Sequence, residues 1–154
     1  MQQKKLYLAY GSNLNIAQMR YRCPTAKIVG TAVIENYELL YKGSKTGAYL
    51  TIEPKEGSQV PVGVWLVDKD CEVHLDRYEG YPDFYYKKDL MVKVKDFFKN
   101  EVRERKAFVY IMHEERELGI PSELYVRVCE EGYKLFGFDT AYLNQALKKS
   151  KEAF

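Results

Sequence analysis

"LYLAYGSNLNIAQMRYR", residues 6–22, runs apolar for five residues, breaks on Gly11-Ser12-Asn13, and restarts with apolar residues at helical spacing. The pattern predicts a strand over about Lys5–Tyr10, a turn at 11–13 and a helix over roughly Leu14–Tyr21. Cys23-Pro24 ends that helix, because proline disfavours helical backbone at the residue before it. A glycine-containing turn from strand to helix exposes backbone N–H groups at the positive end of the helix dipole, an arrangement suited to anions. Neither phosphate-loop nor dinucleotide-loop glycine spacing is present, so a small carboxylate or an oxyanion suits this turn better than a nucleotide. Taken alone, the stretch reads first as an ordinary turn whose asparagine caps the next helix, because such turns are common.

Downstream of the turn, runs rich in β-branched and aromatic residues follow one another. They are "AKIVGTAVIENYELLYKG" (26–43), "GAYLTIEP" (47–54) and "VPVGVWLV" (60–67), parted by Gly, Ser, Asn or Pro as turns and bulges require. A helix capped by Asp68 or Asp70 then carries Cys71, Leu75 and Tyr78 on one stripe and stops at Glu79-Gly80. "YYKKDLMVKVKDFF" and "VRERKAFVYIM" read as paired strands around a turn near Lys99-Asn100, and two helices starting at Pro121-Ser122 and Asp139-Thr140 close the chain. Strands outnumber helices and mostly adjoin, which excludes a doubly wound parallel sheet. The expected fold class is α+β, a curled mixed sheet or small β-barrel flanked by helices, in one domain spanning 1–154.

Composition limits function. The 154 residues carry 24 basic and 22 acidic side chains, a net charge of +2, which gives no electrostatic reason to expect nucleic acid or an anionic membrane as partner. No run approaches the roughly 18 apolar residues of a membrane span, and "MQQKK" leads into the first strand without a signal-peptide core. Cys23, Cys71 and Cys129 are odd in number and widely spaced, so they read as reduced thiols of a cytoplasmic protein. Fourteen tyrosines stand out; buried ones need partners for their hydroxyls, so a polar interior pocket is expected.

"LDRYEGYPDFYYKK", 75–88, bears on that pocket. Glu79 falls at a helix end among Tyr78, Tyr81, Phe84, Tyr85 and Tyr86. Desolvation by such neighbours raises a carboxyl pKa toward what a general base needs, whereas a glutamate turned to water does nothing; spacing leaves both readings open. The Cys71-x-x-His74 pair lacks the further ligands of a zinc site, and neither histidine sits in a triad context that would activate Ser12.

Three pieces of the chain, in order, resemble the γ-glutamylcyclotransferase superfamily, including its AIG2-like members. They are "YGSNL" (10–14), similar to the family's loop after the first strand; "LDRYEGYPDFY" (75–85), similar to the segment carrying its catalytic glutamate; and "PSELY" (121–125), similar to a late Pro-x-x-Tyr element. The Glu79-Gly80-x-Pro82-x-x-Tyr85 form looks closer to the γ-glutamylamine branch than to the γ-glutamyl-amino-acid branch. The resemblance implies a small mixed β-barrel flanked by helices, no metal and no cofactor. It implies a small-molecule γ-glutamyl substrate whose α-amine attacks its own γ-carbonyl, releasing 5-oxoproline and an amine or amino acid. It further implies Glu79 as general acid/base, with Tyr10, Gly11, Ser12, Asn13, Leu14, Tyr85 (or its neighbour Tyr86) and Tyr125 binding substrate. Two alternatives stay open: a non-catalytic module for small carboxylates, and a cyclotransferase that removes a γ-glutamyl group from a biosynthetic intermediate. Nothing in the sequence decides the oligomeric state.

Overall fold

A computed structural model describes residues 3–44 and 47–154. The first two residues of "MQQKK" and residues 45–46 lie outside them. The elements are β1 (Lys5–Ala9), α1 (Ile16–Arg22), β2 (Lys27–Ser44), β3 (Gly47–Val67), α2 (Lys69–Glu79), β4 (Tyr85–Asp96), β5 (Val102–Met112), α3 (Glu123–Phe136) and α4 (Ala141–Glu152). The strands close a mixed barrel in the order β1-β3-β2-β4-β5. All neighbours run antiparallel except β1 and β5, which meet in parallel at Tyr7 and Phe108 and complete the ring. Leu8, Ile52, Val60, Val62, Val64 and Val109 are fully buried. Closure gives every strand of the ring a neighbour on both sides. The α+β class and small flanked barrel expected from the sequence are therefore found.

Two runs read as separate strands, 47–54 and 60–67, form one continuous strand, β3. The intervening Pro54–Gln59 segment does not turn the chain. It bulges outward opposite Asn36, where pairing jumps from Glu35↔Gln59 to Tyr37↔Pro54. Asn36 takes a left-handed φ of 62° and its Oδ1 accepts from the Gly57 N–H at 3.1 Å, so the extra residues are tied at the surface and the ladder resumes beyond them.

The helices carry the punctuation expected of them. Asp68 Oδ1 accepts from the Cys71 N–H at 2.8 Å and starts α2, which Gly80 ends at φ 63°. Ser122 Oγ accepts from the Tyr125 N–H at 3.1 Å and starts α3. Asp96 Oδ1 accepts from the N–H groups of Phe98 and Lys99 and shapes the β4–β5 turn, with Asn100 at φ 49°.

The cysteine expectation is corrected. Cys23, which caps α1, and Cys71, in the first turn of α2, form a disulfide with Cα atoms 5.1 Å apart, and only Cys129 is free. Forty-eight residues separate the pair, so nothing local in the sequence announced it. Localisation consequently loses the support that three reduced thiols had lent it. Among the described residues no helix is long and apolar enough to cross a membrane.

Candidate active site

The turn after β1 differs in detail from its sequence reading. Ala9 ends β1, Ser12–Leu14 form a short 3-10 turn, and α1 starts only at Ile16. Its cap is Asn15, not Ser12 or Asn13: Asn15 Oδ1 accepts from the Gln18 N–H at 3.3 Å. The Asn15 amide reaches the other way, donating to Glu131 Oε2 at 2.7 Å and to the Val128 carbonyl at 3.3 Å, so the loop is fastened to α3. With the cap supplied from within, Ser12 and Asn13 have their side chains free for other partners.

Asn13 Nδ2 donates to the Tyr7 hydroxyl at 2.9 Å, and Ser12 Oγ lies 3.3 Å from the Tyr78 hydroxyl. The Leu14 N–H is already spent on the Gly11 carbonyl at 3.0 Å, and the Leu14 side chain is wholly buried. Leu14 thus belongs to the core beneath the loop and is not among the residues that line the cavity. Ser12 and Asn13 open the 3-10 turn, where N–H groups have no carbonyl behind them within the turn.

The loop faces a cavity of about 390 Å³, within the range of small-molecule sites. Tyr10, Gly11, Ser12, Asn13, Glu79, Tyr85 and Tyr125 all border it. The structure therefore brings together one 3-10 turn, the end of α2, the start of β4 and the first turn of α3. Each contributes through its own local geometry. Glu79 is the last residue of α2, so the left-handed turn at Gly80 fixes where its carboxyl leaves the helix. Tyr125, one turn into α3, accepts from the Leu50 N–H at 3.1 Å. Tyr85 donates to the Leu50 carbonyl at 2.8 Å. Leu50 of β3 thus holds two cavity tyrosines through its backbone alone.

The strand period separates Tyr85 from Tyr86. Tyr85 points into the cavity, while Tyr86 points out and donates to Glu114 Oε2 at 2.5 Å. Tyr81, expected to cover Glu79, instead stands half-exposed with the Lys87 ammonium 4.4 Å above its ring. The wall of the cavity that Glu79 borders is built from Tyr7 and Tyr110 of the barrel, Tyr10 just after β1, and Tyr78, Phe84 and Tyr85. Strand alternation marks Tyr7 and Tyr110 as inward, but nothing in the sequence says which end of the barrel they reach.

Burial sets the electrostatics. It pushes the Glu79 carboxyl up to about 7, against a smaller downward pull from Arg22. Burial, helped by the Glu79 charge, also drives Tyr7, Tyr10, Tyr85 and Tyr125 well above the ordinary phenol range. These hydroxyls stay protonated: Tyr7 and Tyr125 accept from Asn13 Nδ2 and the Leu50 N–H and keep their own hydrogens, while Tyr10 and Tyr85 spend theirs on the Tyr110 and Leu50 carbonyls. Tyr10 donates to the Tyr110 carbonyl at 2.7 Å, and the Tyr110 hydroxyl donates to Asp76 Oδ1 at 2.6 Å, which Lys87 in turn pairs at 3.0 Å. A chain of bonds thus runs from the cavity wall to a surface ion pair and orients the rings. Among the described residues no group of three or more His, Cys, Asp or Glu is placed to hold a metal ion.

Chemically, the cavity offers a carboxyl poised near neutrality, protonated tyrosine hydroxyls and the Gly11–Asn13 loop on its wall. That set can move a proton and stabilise a developing oxyanion.

Comparisons with known proteins agree with the fold. The profile of the family described as "Gamma-glutamyl cyclotransferase, AIG2-like" matches residues 7–127. A solved γ-glutamyl cyclotransferase is 27% identical with a TM-score of 0.79, covering 97% of this chain and 87% of its own. The human protein loc79017 is likewise 27% identical, with a TM-score of 0.77 and coverage of 96% and 86%. A yeast γ-glutamyl cyclotransferase specific to glutathione, 13% identical, shares the fold with a TM-score of 0.66 over 97% of this chain and 96% of its own. No curated protein matches the chain in sequence.

Proposed function

The chain belongs to the AIG2-like γ-glutamyl cyclotransferase family, and we propose that it closes γ-glutamyl substrates to 5-oxoproline with Glu79 as general acid/base. The observation that carries this reading is a carboxyl raised to about 7 on the same cavity as the Gly11–Asn13 loop.

The substrate's α-amine attacks its own γ-carbonyl carbon, forming the lactam C–N bond. The bond to the leaving nitrogen then breaks, and that nitrogen departs as an amine or amino acid. The attacking ammonium loses one proton to become nucleophilic and a second on closing the ring, while the leaving nitrogen gains one. Glu79 takes one of these protons from the amine and returns it to the leaving nitrogen, and the other goes to solvent. An ordinary glutamate, near 4.3, would face an α-amine near 7.7–8.0 across a gap of about 5 kcal/mol. At about 7 the gap shrinks to about one pH unit.

The Ser12 and Asn13 amides hold the glutamyl carboxylate or the oxyanion at the γ-carbonyl, and the Tyr85 and Tyr125 hydroxyls position the chain. Folding the glutamyl chain back onto itself is an intramolecular alignment worth on the order of 7–11 kcal/mol. The reaction as written needs neither a metal nor a cofactor. Tyr49, Phe84 and Arg77 also line the cavity and leave room for the departing amine or amino acid.

Incubation with a panel of γ-glutamyl amino acids and γ-glutamyl amines, ε-(γ-glutamyl)lysine among them, tests the proposal by 5-oxoproline release. Release that Glu79→Gln abolishes is the expected result. Release undiminished in Glu79→Gln would remove Glu79 from its role. Silence with 5-oxoproline still binding would make the protein a carboxylate binder or an enzyme for a larger γ-glutamyl intermediate.

A further inference from the structure

Arg22, the last residue of α1, joins parts of the site that the sequence keeps well apart. Its Nη1 donates to Asn13 Oδ1 and, at 3.3 Å, to Ser12 Oγ; its Nη2 donates to Gln18 Oε1 at 2.5 Å. The guanidinium lies over the Tyr78 ring, its Cζ 3.4 Å from the ring centroid. Tyr78 hydrogen-bonds Ser12 and directly precedes Glu79. One planar cation thus touches the loop, its own helix and α2. The next residue, Cys23, is bonded to Cys71, so α1 and α2 are also tied covalently beside it.

We propose that Arg22 is a positioning residue of the cyclisation site, clamping the Ser12–Asn13 loop to Tyr78 and supplying the positive potential in which Glu79 works. The inference rests on the reading of Glu79 as the proton-transfer group.

Charge and fork geometry both enter. The hydrogen-bond partners of Arg22 are neutral amides and a hydroxyl, so no contacting carboxylate cancels its charge. The groups around Glu79 are Tyr7 of β1, Tyr10 after it, Tyr78 of α2, Tyr85 of β4, Tyr110 of β5 and Tyr125 of α3, with Arg77 also on the cavity wall. Beyond them stand the buried Cys129 thiol, pushed up to about 12, and His74, whose Nδ1 is 3.2 Å from the Arg22 carbonyl. The tyrosines and Cys129 are neutral near pH 7. Arg22 is the charge that counters burial at Glu79, and without it the carboxyl would hold its proton to higher pH. A lysine would keep the charge but lose the fork that binds Asn13 and Ser12 together and stacks on Tyr78.

Two variants separate these contributions. In Arg22→Met the acid limb of kcat/KM against pH is expected to move up by about one unit, with turnover low near pH 6.5 and recovering under alkaline conditions. In Arg22→Lys the limb is expected to stay near the wild-type position while KM rises several-fold as the loop loosens. An unmoved limb in folded Arg22→Met, or equal losses in both variants at every pH, would overturn the proposal. If Arg22→Met does not fold, Arg22→Gln removes the charge while keeping polar contact, and the same criterion applies. Direct titration of the Glu79 carboxyl by 13C NMR needs no turnover. A higher midpoint in the methionine variant supports the proposal even if no γ-glutamyl substrate is turned over, and an identical midpoint overturns it.

Discussion

At the scale of single residues, the site depends on how far one carboxyl is desolvated. Glu79 must be ionised to accept a proton, so kcat/KM is expected to rise with pH through about 7 and to level off above it. A rise centred near the ordinary glutamate value, around 4.3, would mean that the carboxyl is solvated during the reaction. A steady-state pH profile on any active panel member measures this. The hydroxyls make a second, graded case. Tyr125→Phe removes the oxygen that accepts from the Leu50 N–H and borders the cavity, and should cost roughly tenfold in kcat/KM, about 1.4 kcal/mol for one neutral hydrogen bond. Tyr86→Phe, facing outward to Glu114, should change kcat/KM by less than about twofold. Glu79 was legible as a candidate because five aromatics crowd it in sequence. Which of them cover it was not, since Tyr81 turns away and Tyr7, Tyr10 and Tyr110 arrive from distant strands.

At the scale of elements, close backbone approach holds the loop in place. Gly132 of α3 lies so near the loop that an added Cβ would come within 2.6 Å of the Asn15 nitrogen and the Leu14 carbonyl carbon. Those are backbone atoms and cannot swing aside. Gly132→Ala is therefore expected to push α3 off the loop, costing about 1–3 kcal/mol in denaturant unfolding and weakening 5-oxoproline binding together. Loss of stability with binding intact would show that the loop keeps its shape without α3. The disulfide clamps α1 to α2 in the same neighbourhood. Closing a loop between residues 48 apart contributes about 4 kcal/mol in the chain-entropy account, so Cys71→Ser should lower unfolding free energy by up to that amount. Both sulfurs are buried, so reductant should act slowly on the native protein and quickly once it is partly unfolded. Denaturant melts with and without reductant measure both effects. Helix ends were readable from Asp68, Gly80 and Ser122 because capping is local chemistry. The disulfide, the Asn15 cap and the fused strand β3 were not, because each is decided by which segments meet in space.

At the scale of the whole molecule, barrel and site pull against each other. The sequence conveyed a small barrel through its succession of strand-like runs. It could not convey closure, which rests on the parallel meeting of β1 and β5, nor that this closure wraps tyrosines around a carboxyl. The wrapping carries a stability cost whose sign follows from linkage. Glu79 is near 4.5 when unfolded and about 7 when folded, so between those values the native state binds more protons than the unfolded state. Its contribution to stability is fully present below about pH 4.5 and is lost as pH rises through about 7. Glutamine has nearly the shape of the protonated acid and does not ionise. Glu79→Gln should therefore match wild type near pH 4.5 and exceed it by up to about 3 kcal/mol at pH 8. Urea unfolding of both proteins across that range measures the difference. A constant offset at all pH values would mean that the glutamine gains stability through packing and that Glu79 ionises freely in the folded protein. A difference that opens between pH 5 and 7 would show the fold bearing the cost of a carboxyl held near neutrality, where proton transfer to and from an amine requires it.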